Sequence, residues 1–312
     1  MIDVLIPTYN RCDDLLINLL HISNEINSAD IHKDVAIIIC DNASTDTTRS
    51  RVEKFAITNP KINIVYHCNE ENIGLERNAV RVLSLAKSEY ILFCGDDDLI
   101  HEGYLAFCMQ KVIEYHSSLG CIIPGIKSID RKGNTQEGRI TNYDFIELQA
   151  GYSSLKTYSH MAHQMSGLLV KRDGLLVNYL ARTENRNPYL FIFFVAFHLF
   201  HNTSLFAPRY KTAVQVDNEK DWGYNEIGLL DEVFKSYYYF DEVLSPSKLA
   251  DLLVHFIRMH SYRLNVSFTK PSALFNKYKM IVARVKTVGG SFRLKLGILL
   301  IKEFLISLKN ET

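Results

Sequence analysis

Three adjacent carboxylates, Asp96, Asp97 and Asp98, follow the apolar run Tyr90 to Cys94 and a single glycine, Gly95. Crowded together behind an apolar strand, they repel one another and raise their own pKa values unless a cation joins them. Mg²⁺ or Mn²⁺ suits that role, because each prefers oxygen ligands, usually takes one or two carboxylates from the protein, and completes its shell with water and phosphate oxygens. A diphosphate supplies such oxygens. The plainer alternative is a solvated acidic turn that caps a helix beginning near His101.

Two further polar clusters stand where apolar runs end. Ile2 to Ile6 leads into Pro7-Thr8-Tyr9-Asn10-Arg11, and Val35 to Cys40 leads into Asp41-Asn42-Ala43-Ser44-Thr45-Asp46. Asp41 could accept a hydrogen bond from a base or ribose, whereas Ser44 and Asp46 suit helix capping. Pro7 stiffens the turn before Tyr9, whose ring could stack on a nucleobase or simply pack. Downstream, Asn72 to Asn78 offers a permissive glycine, Gly74, and a guanidinium, Arg77. Arg77 suits a phosphate, the orientation of Asp96 to Asp98, or a surface ion pair.

These clusters need elements to hold them together. Short β-branched runs at Ile2 to Ile6, Val35 to Cys40, Ile62 to Tyr66, Tyr90 to Cys94 and Cys121 to Ile123 read as strands, with helices between them, among them Thr47 to Ala56 and Leu75 to Ala86. Repeated β-α-β units imply a mostly parallel sheet with right-handed crossovers, and such sheets bind ligands at the carboxyl ends of their strands. All three clusters fall at that edge. From Gly125 the pattern becomes irregular, with a hairpin turn expected at Asp130 to Asn134 and a strand at Ser166 to Lys171. After Trp222 it is largely helical, through Leu229 to Phe240, Lys248 to Leu264, Phe275 to Lys286 and Phe292 to Leu308.

The 312 residues carry a formal net charge of zero, which argues against a nucleic-acid binder. The charge is uneven. From Asp251 onward eleven Lys or Arg face three Asp or Glu, a surplus of eight, so the preceding part is acidic by the same amount. Six cysteines, none in a CxxC pair, read as thiols of a reducing compartment. The start MIDVLIPTYN lacks the features of a secretory signal. The apolar run Tyr189 to Phe200 is too short to cross a bilayer. The expectation is a cytoplasmic protein without a transmembrane helix.

In their order and at their strand ends, IPTYNR, DNASTD, NIGLERN and FCGDDD resemble family 2 glycosyltransferases of the GT-A fold, over roughly residues 1–171. The resemblance implies a Rossmann-like α/β nucleotide-diphospho-sugar transferase domain with a mostly helical C-terminal extension. Its expected bounds are residues 1–220 for the transferase domain, with a nucleotide-binding half of about 1–124 and an acceptor half of about 125–220, then 221–312 for the extension. It implies that Pro7, Thr8, Tyr9, Arg11, Asp41, Asn72, Gly74, Arg77 and Asp96 surround the nucleotide, and that Asp97, helped by Asp96 or Asp98, binds the metal. FCGDDD and the later SGLLVKR look most like transferases that build bacterial O-antigen or capsule repeats, including abequosyltransferase-like enzymes.

Two departures from the family pattern stand out. Gly95 occupies the place where a first Asp is usual. Inverting members usually carry an Asp from an acidic pair on a downstream helix, and it deprotonates the acceptor hydroxyl. Here that region reads Arg182 to Leu190 without such a pair. The base candidates are Glu184 and the group Asp217, Glu219 and Asp221, with His160 and His163 as further possibilities.

The expected reaction is a single in-line displacement with inversion, from a nucleotide-sugar donor to a saccharide acceptor, which the C-terminal tail suggests is lipid-linked. Lys295, Lys302 and Lys309 recur at heptad spacing on Phe292 to Lys309, while Ile298, Ile301, Leu305 and Leu308 share another face. Such a helix could lie on the anionic inner membrane surface beside that acceptor, pack on the catalytic body, or pair with another subunit. Two other functions stay open: a nucleotidyltransferase-like enzyme, which the missing glycine-rich phosphate loops count against, and a non-catalytic relative in a polysaccharide assembly complex.

Overall fold

The computed structural model describes residues 1–130, 132–139, 143–216, 228–260, 271–285 and 289–310. The first half alternates as the apolar pattern demands: β1 (Ile2–Thr8), α1 (Cys12–Ala29), β2 (Val35–Asp41), α2 (Thr48–Thr58), β3 (Asn63–Cys68), α3 (Leu75–Leu85), β4 (Tyr90–Phe93) and α4 (Tyr104–Tyr115). Then come β5 (Leu119–Ile129), β6 (Thr135–Gly138), β7 (Ile146–Leu148), α5 (Tyr152–Tyr158), β8 (Leu168–Lys171), α6 (Leu175–Leu180), α7 (Leu190–His201) and β9 (Thr203–Gln215). Four helices follow: α8 (Gly228–Tyr238), α9 (Pro246–Met259), α10 (Pro271–Arg284) and α11 (Gly290–Asn310).

The strands form one mixed sheet in the order β3-β2-β1-β4-β8-β5-β9-β7, with β6 beside β5. Its first four strands are parallel. Register then places the site. Thr8 pairs with Asp41, and Asp41 with Cys68, so the ends of β1, β2 and β3 lie side by side. Antiparallel pairing of Phe93 with Leu168 sets Ser166 and Gly167 against the end of β4. An isolated bridge between Leu99 and Ala213 brings the end of β9 to the same place.

Alternation along β1 sends Leu5 to one face and Val4 and Ile6 to the other, and each face is covered. One core packs Leu5, Ile38 and Phe93 against α3 and α7; the second packs Val4, Ile6 and Ile39 against Leu15, Leu19 and Leu105. The apolar run from Tyr189 is α7 itself, buried on nearly every side, which is why it lacks an amphipathic period. Among the described residues, no helix is long and apolar enough to cross a membrane.

The C-terminal helices sit on this body. Ser245 caps α9, accepting a hydrogen bond from the Lys248 amide, with Pro246 in the first turn. Lys156 of α5 and Lys295 of α11 both pair with Asp251 of α9. Phe292, Leu296, Leu299 and Leu300 bury one face of α11, whereas Leu294, Ile298, Ile301 and Leu305 of the same helix are 54–66% exposed. The six cysteines are unpaired, five of them buried.

Candidate active site

The loop after β1 is fixed before it reaches the acidic cluster. Asn10 is left-handed, at φ 51°. Its amide donates to Ser44 Oγ at 2.8 Å, and its Oδ1 accepts from the Thr45 amide at 2.8 Å. Asp46 accepts from the amides of Thr48 and Cys12, joining the starts of α2 and α1. Asp46 therefore acts as the cap expected of it, while Ser44 holds Asn10 instead of capping α2.

From that loop Thr8 Oγ1 donates to Asp96 Oδ2 at 2.8 Å. Nη1 of Arg11 donates to both Asp96 Oδ1, at 3.2 Å, and Asp97 Oδ2, at 2.6 Å. Asp98 is tied elsewhere: Ser166 Oγ donates to its Oδ2 at 2.5 Å, and the Gln215 amide to its Oδ1 at 3.0 Å. Asn18 of α1, which no motif marked, donates to the carbonyls of Gly95 at 2.7 Å and Asp98 at 2.5 Å. The three carboxylates thus divide: Asp96 and Asp97 share one guanidinium, and Asp98 braces the turn.

Asp96 and Asp98 are each only 7% exposed. Burial, and then repulsion from Asp97, push both pKa values up to about 7. Gly95 explains one departure from the family pattern. A Cβ there would stand 3.0 Å from Asp98 Oδ2 and 3.2 Å from both Asp97 Oδ1 and Ser166 Oγ, so no side chain fits without moving the cluster.

Asp41, beside Thr8, is buried and accepts from the Ser44 amide at 2.8 Å and the Tyr66 hydroxyl at 2.5 Å. Asn72 accepts from Asn42 Nδ2 at 2.7 Å and from the Gly74 amide at 2.9 Å. Asn69 Nδ2 donates to Asn42 and Asn78, and Asn78 Nδ2 donates to the Cys40 carbonyl. This amide network fixes the loops after β2 and β3, and of its members only Asn72 was singled out from the sequence. Arg77 is exposed, and the guanidinium that reaches the acidic cluster is that of Arg11. The residue before it, Glu76, instead takes both arms of Arg186 at 2.9 Å and the Tyr179 hydroxyl at 3.0 Å.

Of the base candidates, Glu184 has a side chain 65% exposed and accepts from Arg182 Nε at 3.4 Å. Arg182 also binds Asp241. Asp217, Glu219 and Asp221 lie outside the described residues. His160 and His163 pack with α9: His163 and His260 have ring centres 4.5 Å apart, and His160 lies 5.6 Å from His255. Burial, aided by the neighbouring His260, lowers the His160 pKa to about 3, so this ring is a neutral packing residue.

A mixed sheet whose parallel half ends in Thr8 at β1, Asp41 at β2 and a carboxylate turn after β4 is the GT-A arrangement. The chain belongs to glycosyl transferase family 2, whose family model matches residues 3–171. It is 37% identical over 106 residues to the abequosyltransferase RfbV of Salmonella typhimurium, covering 34% of this chain and 31% of that one. It is 28% identical over 151 residues to the GalNAc(5)-diNAcBac-PP-undecaprenol beta-1,3-glucosyltransferase of Campylobacter jejuni, covering 46% and 47%. The matches thus span less than half the length of these relatives. Two solved structures share the fold across the whole chain. TarS 1-349 of S. aureus, in complex with UDP-GlcNAc, aligns with a TM-score of 0.64 at 16% identity and 92% coverage of that chain. The mannosyltransferase PcManGT of Pyrobaculum calidifontis, in complex with GDP-Man and Mn2+, aligns with a TM-score of 0.54 at 15% identity and 88% coverage.

The residues present fit a divalent cation of that kind. Among the described residues no three carboxylate, imidazole or thiolate groups form a complete metal cage. Mg²⁺ and ions like it usually take only one or two protein carboxylates, with phosphate oxygens and water completing the shell. Asp97 and Asp96 offer hard oxygen donors whose mutual repulsion favours a cation between them, and Arg11 bridges them.

Proposed function

We propose that this chain transfers a sugar from a nucleotide-sugar donor to a saccharide acceptor of a bacterial surface polysaccharide, O-antigen or capsule, with inversion at the anomeric carbon. The observation that carries the reading is the meeting of Thr8 and Arg11 from the end of β1 with Asp96 and Asp97 from the end of β4, beside Asp41. Pro7, Thr8, Tyr9 and Asp41 line the nucleoside side, in a nucleotide-binding half of about residues 1–124. Asn72 and Gly74 shape its rim, and Arg77 is a reserve phosphate contact. Asp97, with Asp96, holds Mn²⁺ or Mg²⁺, which when bound supplies charge neutralisation on the leaving diphosphate. Asp98 keeps Asp97 in place through Ser166 and Gln215.

The acceptor is taken up by the half from about residue 125 to 220. Asp217 is the base we favour, because it follows by two residues the Gln215 amide that binds Asp98. The C-terminal region of residues 221–312 supports the acceptor side. Its α11 presents Leu294, Ile298, Ile301 and Leu305 outward, with exposed Arg293 and Lys302 beside them. An apolar stripe with basic flanks suits an anionic membrane surface, and hence a lipid-linked acceptor on the cytoplasmic face.

The test is release of nucleoside diphosphate from a panel of UDP-, GDP-, CDP- and dTDP-sugars with Mn²⁺ or Mg²⁺ and extracted lipid-linked acceptors. Turnover of one donor is expected. Release of pyrophosphate instead would identify a nucleotidyltransferase, and donor binding without turnover across the acceptors would favour a non-catalytic assembly role.

A further inference from the structure

Arg11 makes an unusual demand on the site. Its Nη1 lies 2.6 Å from Asp97 Oδ2 and 3.2 Å from Asp96 Oδ1, so one donor nitrogen sits between the two carboxylates. A metal bound at Asp97 Oδ2 would stand about 2.1 Å from that oxygen. It would compete with the guanidinium for the same lone pairs and would be repelled by it at a separation where Coulomb energy is large. The two cations cannot both occupy that oxygen face.

Arg11 also keeps one side toward solvent. Its backbone is pinned by the Asn10–Ser44–Thr45 hydrogen bonds and by the start of α1, yet its side chain is 23% exposed. A planar guanidinium that gives up carboxylates finds an equivalent bidentate partner in a phosphate. The diphosphate of a donor would arrive at this edge of the sheet together with the metal.

Resting on the reading of Asp96 and Asp97 as metal ligands, we infer that Arg11 is a tethered substitute for the metal, holding the site closed until a diphosphate draws it away. Metal binding is thereby made conditional on the nucleotide. Free metal finds its ligands already taken, while metal and diphosphate together offer Arg11 a new partner. The two bindings are positively coupled, and the coupling is reciprocal.

Titration of the protein with Mn²⁺ alone, followed by the electron paramagnetic resonance signal of the free ion, tests this without any turnover. Arg11→Gln is expected to bind Mn²⁺ about ten-fold more tightly than wild type, within the usual range of coupling between sites. Adding UDP, GDP, CDP or dTDP should tighten Mn²⁺ binding strongly in wild type and much less in Arg11→Gln. Asp97→Asn in the Arg11→Gln background should remove the gain. Arg11→Lys keeps a cationic nitrogen for the carboxylates but lacks the planar fork that takes a phosphate with two nitrogens, so it should bind Mn²⁺ alone about as wild type does and gain less on adding diphosphate, and it remains informative if the glutamine variant does not fold. A folded Arg11→Gln that binds Mn²⁺ no better than wild type, or an Arg11→Lys that gains as much from diphosphate as wild type, overturns the inference while leaving the metal reading intact. If wild type binds no Mn²⁺ with any of the four diphosphates, the metal reading itself fails, and the inference fails with it.

Discussion

The amide of Tyr189 donates to Oδ1 of Asn187 at 2.7 Å, so the first turn of α7 opens on a carboxamide. Inverting relatives would be expected to carry an acidic pair in this stretch. Asn187 is 2% exposed, and its Nδ2 donates to the Asn185 carbonyl at 2.9 Å and to Ser236 Oγ at 3.1 Å. Both ends of the amide are committed to holding α7, α8 and the preceding turn together.

Replacing Asn187 by Ala should therefore act on the fold. Loss of a buried side chain that satisfies several partners is expected to cost about 1–3 kcal/mol. The midpoint of urea unfolding measures it; an unchanged midpoint would show that the network contributes nothing to stability.

The base should reveal itself in kcat. Removing a general base typically lowers the rate by about 10²–10⁴-fold. Asp217→Asn is expected to fall in that range with little change in the KM for the donor. A larger loss in Glu184→Gln than in Asp217→Asn would transfer the role to Glu184, despite its pairing with Arg182.

Gly95→Ala should separate activity from stability. The added methyl meets the carboxylates of Asp97 and Asp98 and the hydroxyl of Ser166 at 3.0–3.2 Å. Displacing them by a few tenths of an ångström is expected to cut nucleoside diphosphate release by about ten-fold or more, since catalytic geometry tolerates little misplacement. The melting temperature should move by only a few degrees, as expected for overpacking of about 1 kcal/mol. Full activity would mean that the turn need not be held so closely.

Acid should weaken the fold through two buried histidines, His160 and His198, and a half-buried one, His255. Burial is the main cause that lowers the pKa of His160 to about 3, and of His198 and His255 to about 4. Asn202 and the Lys171 carbonyl hold His198, while Arg258 and Lys156 add repulsion at His255. The unfolded chain takes up protons at these rings below about pH 6.5, whereas the folded chain does not until about pH 3–4. Their stabilising contribution is thus present above pH 6.5 and declines as pH falls toward 4. Asp96 and Asp98, raised to about 7, pull the other way over the same window, so the difference between proteins is the check: His198→Gln should lose less melting temperature than wild type as pH falls from 7.5 to 4.5, and an identical pH dependence in the variant would show that His198 carries none of it.

The exposed stripe of α11 predicts membrane partition without a stability cost. Ile298→Glu combined with Ile301→Glu should reduce co-sedimentation with anionic vesicles while leaving the melting temperature nearly unchanged, because both side chains are more than half exposed. Unchanged sedimentation would rule out this face as the membrane contact.

Much of this was legible from residue order. The strands of the first half, the capping role of Asp46 and the last four helices follow from apolar period and turn chemistry, because each is determined locally. β9 escaped notice for the opposite reason. Its thirteen residues contain Pro208 and pair in parallel with β5 across a register shift near Pro124, so no simple alternation marks it. The choice of Arg11 over Arg77 was equally hidden. Both are guanidiniums that follow a strand, and the strand order, which sets β1 beside β4 and leaves β3 two strands further out, places Arg11 at Asp96 and Asp97. Ser166 and Gln215 became partners of Asp98 through pairings that span 68 and 117 positions.

Those two long reaches bear on how the molecule is born. Contacts so distant in the chain close late, after most loop entropy has been lost. While the polypeptide emerges, Asp98 has neither anchor until Ser166 is made, and lacks the second until Gln215 follows. An unfinished molecule can therefore own every carboxylate of its acidic turn and still leave that turn unbraced.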